Sequence, residues 1–131
     1  MNAPSIDVKD MLCAEKSLKL VFAKNLYIAR EPMDPSHCVT IYDTDSFPPQ
    51  LTFNRAEIYE YPSIQIRIRN SDFREGWDLA ERIKTTLHGR AHESWGGAYY
   101  SIIRCSGGPA LLGRDDNDRF LIYVNFEIQR R

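Results

Sequence analysis

The segment YEYPSIQIRIRN, residues 59–70, leaves the chain the least choice of structure. From Ser63 onward Ile64, Ile66 and Ile68 fall on one side and Gln65, Arg67 and Arg69 on the other. Period-2 alternation with β-branched residues specifies a strand with one buried face, because successive side chains leave a pleated backbone in opposite directions. Pro62 holds Tyr61 extended and has no amide to give a ladder, so it marks where the strand begins. The second face then carries a glutamine and two arginines in a row. Either a neighbouring subunit meets them, or they lie on a solvated or helix-edge face with partners in their own chain.

The next segment, SDFREGWDLAERIKTTLHG (71–89), is a helix by the same kind of argument. Phe73, Trp77, Ala80, Ile83 and Leu87 recur at steps of three and four and form one apolar stripe. Ser71 suits the N-cap, Asp72 the positive end of the helix dipole, and Gly89 a left-handed residue past the last turn. Ser5 is placed to cap an earlier helix, with Asp7 in its first turn and Ile6, Met11, Leu12 and Leu18 as its apolar stripe. That helix ends before Asn25, and the pattern of SLKLVFAKN fits helix or strand.

Strands are expected at NLYIARE (25–31) and CVTIYDT (38–44), joined through a turn at Pro32, Asp34, Pro35 and Ser36 as an enlarged β-hairpin. Two more are expected at 96–106 and 119–130, the second with Ile122, Val124, Phe126 and Ile128 on one side. GGPALLGRDDNDR, between them, reads as a turn-rich linker. Residues 45–56, DSFPPQLTFNRA, show no periodicity yet carry Phe47, Pro48, Pro49, Leu51 and Phe53, more apolar surface than a solvated loop needs. The segment either packs on its own domain or reaches a neighbouring subunit as an arm. The order α-β-β-β-α-β-β predicts one α+β domain over residues 1–131, a mostly antiparallel sheet of about five strands with two helices on one face.

Composition narrows the function classes. Seventeen basic residues against eighteen acidic ones leave a net charge of −1, whereas nucleic-acid-binding domains ordinarily show a basic excess. No sequence-specific contact with nucleic acid is expected. No apolar run reaches the ~18 residues of a membrane span, and MNAPSIDVKD has neither the basic nor the apolar part of a secretory signal. Cys13, Cys38 and Cys105 are odd in number and far apart, as structural thiols in a reducing cytoplasm would be.

The chemistry-bearing residues form no catalytic pattern. His88 and His92 are four apart, but Gly89 ends the helix between them, and His37 stands alone. No metal centre, cofactor or catalytic residue is expected from these spacings. RDDNDR (114–119) lacks the final Glu and the spacing of a calcium loop. It is either a tight turn or a weak site for a divalent cation or basic partner. Ser94 before WGG is not a nucleophile elbow, and SGGPALLG lacks the Lys-Ser/Thr of a phosphate loop. Surface recognition is the chemistry left.

The ordered set EYPSIQIRIR, an aromatic-rich helix ending in LHG, LGRDDNDR and a final NFE strand resembles the tail terminator proteins of siphophages, the group often labelled bacteriophage minor capsid protein. NLYIAREPMDPSHCVTIYDT fits that group's early hairpin and Pro-containing loop, so the resemblance spans residues 25–130. TDSFPPQLTFNR departs from it, since that segment usually begins Gly-rich. The resemblance implies a virion protein, assembled in the host cytoplasm, that forms a closed six-fold ring. The ring would cap the head-proximal end of the tail tube, stop its growth and present a joining surface to the head's stopper or connector. A head-completion protein at the neck, touching DNA or portal-associated proteins, is the alternative. A head-to-tail ring needs two different faces per subunit. Expected contributors are Gln65, Arg67 and Arg69, paired with acids such as Asp115, Asp116 or Glu127 of a neighbour, together with Arg114, and Phe47, Leu51 and Phe53 on the arm.

Overall fold

The computed structural model describes residues 1–51 and 58–131, with side chains described for all of these but Leu51. Helix α1 spans Pro4–Ala14 and a 3-10 turn follows at Lys16–Leu18. The strands are β1 (Leu26–Ile28), β2 (Cys38–Leu51), β3 (Ile58–Asn70), β4 (Ala91–Trp95), β5 (Ala98–Arg114) and β6 (Phe120–Arg130). Helix α2, Phe73–Leu87, lies between β3 and β4. The six strands make one sheet in the order β1-β2-β3-β6-β5-β4, antiparallel throughout except for β1 beside β2.

The isoleucines of β3 decide the layering. Ile66 pairs across the ladder with Ile41 of β2 and Val124 of β6, and Ile68 with Val39 and Ile122, so one face of the sheet is continuously apolar. Both helices cover that face, α2 through Ala80, Ile83 and Leu87 and α1 through Val8, Met11 and Leu12, all fully buried. Burying a side chain of that size is worth about 1.5–3 kcal/mol, so this face holds most of the core's driving force. Among the described elements, nothing helical covers the opposite face.

Several elements differ from the sequence reading, each for a local reason. Ser5 is not a cap: Pro4 begins α1, and Ser5 turns inward, its N–H and hydroxyl donating to Asp43 at 3.0 and 2.6 Å. Ile6 is exposed and so leaves the expected apolar stripe, while α1 ends at Ala14, before Asn25 as expected. Asp72 rather than Ser71 caps α2, accepting from the Arg74 N–H at 3.0 Å. β1 is three residues long and parallel to β2, so the expected hairpin is absent. Arg69 holds the connection between them, donating to the carbonyls of Met33, Pro35 and Ser36.

Residues 45–51 are not a loop. They extend β2 into an arm paired with β3 through register shifts after Thr44 and Phe47. The linker at 107–113 is likewise strand, the far half of β5. Gly108, at φ +86°, makes this possible: a Cβ there would stand 2.5 Å from the Tyr123 carbonyl oxygen, so only glycine lets β5 bulge and stay paired with β6. β4 was not foreseen and makes the strand count six.

A buried polar cluster pins α1 to the far strands. Asp7, fully buried, accepts from Tyr100 Oη at 2.5 Å and from Asn2 Nδ2 at 3.1 Å. Arg130 stands 3.7 Å from the same carboxylate and donates to the Asn2 carbonyl, Tyr100 Oη and Glu60. Burial, and then the Tyr100 hydroxyl's own bond to Asp7, push the phenol well above its ordinary range, so it stays a donor. Gly96 completes the cluster, because any Cβ there would overlap Asp7 Oδ1.

Candidate functional site

The uncovered face of the sheet divides into three zones. Its centre is a hydrogen-bonded array: Arg67 Nε donates to Gln65 Oε1 at 2.9 Å, and Gln65 Nε2 donates to Asn125 Oδ1 at 3.1 Å. The Arg67 guanidinium lies over the Tyr42 ring, 5.0 Å from its centroid, a contact that fixes a cation on an aromatic face. Arg67, Gln65 and Asn125 are each half-buried. The array holds its side chains in place and leaves polar edges open.

At the β1 end the face is closed by its own chain. Arg69 is 3% exposed, with an ion pair to Glu31 at 3.5 Å besides its three carbonyls. Its donors are consumed inside the subunit, so it supports the 31–36 connection and leaves the contact set expected from the alternation. Arg119 does the same beside it, pairing with Asp115 at 2.8 Å and donating to the Met33 carbonyl. Burial pushes the nearby Cys38 thiol up, with Arg69 acting against it, so the sulfur stays protonated and unreactive.

Asp115 is a turn residue, accepting from the N–H groups of Asn117 and Arg119 and from Arg119 Nε. Burial pushes its carboxyl up, and the hydrogen bonds from Arg119 and Asn117 reverse this and hold it below its usual range. A depressed carboxyl stabilises the fold above its unfolded value and loses that contribution as pH falls through the folded one. Thermal stability is therefore expected to show a step below about pH 4 that Asp115→Asn removes. An identical acid profile in that variant contradicts the assignment. Asp116 is exposed, and Arg114 pairs with Asp118 at 2.8 Å on the surface.

The third zone, at the arm, is apolar. Phe47 is 64% exposed and pairs across the ladder with Tyr61. Together with Ile102 of β5 they wall a hollow of about 280 Å³, with Arg104 and Glu127 at its margin, joined at 2.6 Å. Arg131 stands over the rings of both Tyr59 and Tyr99. Leu51's side chain and Phe53 lie outside the described residues.

The structure thus brings Phe47 and Glu127 to one end of the open face and Gln65 and Arg67 to its middle. Arg114, Asp115 and Asp116 stand apart, at the β5–β6 turn. The sequence reading missed Ile102 and the exposed pair Leu111 and Leu112, which lie at the two ends of β5. Two adjacent leucines in a segment that otherwise looked like a turn were the available signal. All three histidines are exposed, His88 accepting from the Cys105 N–H and His92 sharing a hydrogen bond with Tyr99. Among the described residues no His, Cys, Asp and Glu side chains cluster as a metal site, and no helix is long and apolar enough to cross a membrane.

The family model described as bacteriophage tail terminator protein matches residues 8–131. No protein of curated function matches the sequence. Among solved structures, a chain from the virion of a native gene transfer agent particle superposes with a TM-score of 0.65 at 14% identity, covering 98% of this chain and 94% of that one. A second solved chain gives a TM-score of 0.53 at 14% identity over 97% and 91% of the two chains. At such identities the likeness is one of fold.

Proposed function

The chain belongs to the bacteriophage tail terminator family, a group of structural virion proteins, and on that premise we propose that it closes into a ring on the head-proximal end of the tail tube. There it ends tube polymerisation and offers the head stopper or connector a joining surface. The ring is six-fold, as the resemblance implies, and the 131 residues act as one unit within it. The observation that carries this reading is the one-sided sheet: helices cover one face, while the other holds an ordered polar array and an exposed aromatic arm. A monomer gains nothing from an exposed Phe47, and patches of that kind mark contact sites.

The contact set runs along this open face, with Phe47, Gln65, Arg67 and Glu127 on one side of the joint and Arg114 and Asp116 on the other. The expected behaviour is a monomer when dilute and rings when concentrated or given tube ends, followed by light scattering and electron microscopy. Arg67→Glu is expected to keep the monomer's thermal unfolding and to weaken assembly. Breaking one partner of a desolvated contact costs about 2–5 kcal/mol. Rings of wild-type stability in that variant would place Arg67 outside the joint.

A further inference from the structure

We propose that Arg67 is a receptor for one carboxylate, the side chain of an aspartate or glutamate on a second copy of the chain. The inference rests on the ring reading and adds to it the chemistry of the contact at the centre of the open face. A charge taken out of water without a counter-charge is costly, and the chain otherwise avoids it. Among the described residues Lys9, Arg69, Lys84, Arg90, Arg119 and Arg130 are buried or half-buried. Each has a carboxylate beside it, on Asp10, Glu31, Glu81, Glu93, Asp115 and Asp7 in that order. Arg67, half-buried as well, is the exception.

The surroundings of Arg67 decide what its free end can bind. Arginine has only donors, so the bond from Arg67 Nε at 2.9 Å must end on the carbonyl oxygen of Gln65. The Gln65 amide nitrogen then faces β6, where Asn125 must turn its own oxygen to it, at 3.1 Å. The array is therefore polarised. Both carbonyl oxygens are engaged from within. What remains without a partner among the described residues is Nη1 and Nη2 of Arg67 and Nδ2 of Asn125, donors all. Gly107, the register partner of Asn125 on β5, has no side chain to cover that amide. A surface that offers only donors recognises an acceptor. A guanidinium held at Nε by Gln65 and on its face by the Tyr42 ring presents a fixed fork that matches the plane of a carboxylate.

A phosphate backbone is the poorer fit, because it is tracked by a run of cations. The other arginines of the described strands, Arg69, Arg104, Arg114 and Arg130, each have a carboxylate of their own, and no described strand carries a lysine. One isolated fork suits one side chain. The chain itself can supply it: Asp34, Asp45, Glu75, Asp78 and Asp116 are exposed, and none is in an ion pair among the described residues.

Two variants test the receptor. Gln65→Glu gives Arg67 an acid of its own and forces the Asn125 amide round to donate to it, so the free donors are lost. Arg67→Lys keeps the charge and drops the fork. Each is expected to keep the monomer's thermal unfolding and to raise the concentration needed for assembly about 10-fold or more, the effect of losing a charge-assisted hydrogen bond. Charge reversal then finds the acid. Arg67→Glu is combined in one chain with Asp34→Arg, Asp45→Arg, Glu75→Arg, Asp78→Arg or Asp116→Arg in turn, and one combination is expected to recover assembly. Sedimentation and electron microscopy read every arm. Wild-type rings with unchanged assembly in either folded variant would overturn the receptor and leave the ring reading intact. Assembly lost in both, with no combination that recovers it, would overturn the second copy as the source of the acid. Duplex DNA that binds the wild-type monomer and not Gln65→Glu would give the site to phosphate and overturn the carboxylate. Wild-type protein that never assembles, even on tube ends, would overturn both readings.

Discussion

Phage lacking this protein are expected to make tail tubes that overrun their normal length, or tube ends that fall apart, together with full heads that carry no tails. A tube grows by adding identical rings, and every ring added exposes the same acceptor surface, so nothing in the tube itself supplies a stop. A capping ring ends growth only if one face fits the tube and the other does not fit a further tube ring. The subunit described here has unlike surfaces, with helices on one side of the sheet and an open polar and aromatic surface on the other, so a ring built from it is not obliged to present the same surface at its two ends. Electron microscopy of the deletion measures tube length and head occupancy, and purified protein added back should restore joining. Deletion tails of normal length, correctly attached to heads, would end the terminator reading. Normal tails beside leaking, tailless heads would favour a head-completion role at the neck.

Replacing Arg130 by methionine is expected to cost about 3–5 kcal/mol of monomer stability, the usual consequence of leaving one member of a buried ion pair unpaired. The methionine keeps much of the stem's volume, so the loss reports the charge rather than a cavity. Arg130 is 5% exposed and Asp7 wholly buried, and the guanidinium supplies bonds to Asn2, Tyr100 and Glu60 that no neighbour replaces. For a domain of this size such a loss is a large part of the whole free energy of folding. Urea unfolding followed by circular dichroism measures it. Removing Asp7 as well, in Asp7→Leu with Arg130→Met, should recover part of the loss, because both members of the pair are then apolar. A single variant within ~0.5 kcal/mol of wild type would mean that the cluster holds α1 in place without contributing to stability.

How much of this was legible beforehand depended on whether a residue's surroundings are local. The isoleucines of β3 and the stripe of α2 announce their faces through spacing alone, and they landed on the core except at the start of α2, where Phe73 is exposed and Trp77 only half-buried. Arg67 and Gln65 followed the alternation to the open face. Arg69 obeyed the same alternation, yet its fate was decided by carbonyls more than thirty residues away, which no pattern in the strand encodes. The arm and the far half of β5 were hidden for another reason. Both are irregular strands, with prolines, glycines and register shifts, and period-2 reasoning fails where a bulge resets the period. The candidate surface was therefore half visible: its charged centre and Phe47 could be read from spacing and composition, but not the hollow, which takes shape only when β2, β3 and β5 share one sheet.

The strand order has a consequence for synthesis. β6, the last of the six described strands in chain order, sits in the middle of the sheet, between β3 and β5. Until it emerges from the ribosome, β3 lacks one neighbour, β5 lacks its main one, and Arg130, the cation beside Asp7, does not yet exist. Contacts as distant in sequence as that of Arg130 with Asp7 are slow to form, since the whole intervening length must be brought together first. A nascent chain therefore cannot complete the sheet, and its open face takes its final shape only once residue 130 is free. Any partner that recognises the open face therefore meets it only after translation has passed that strand.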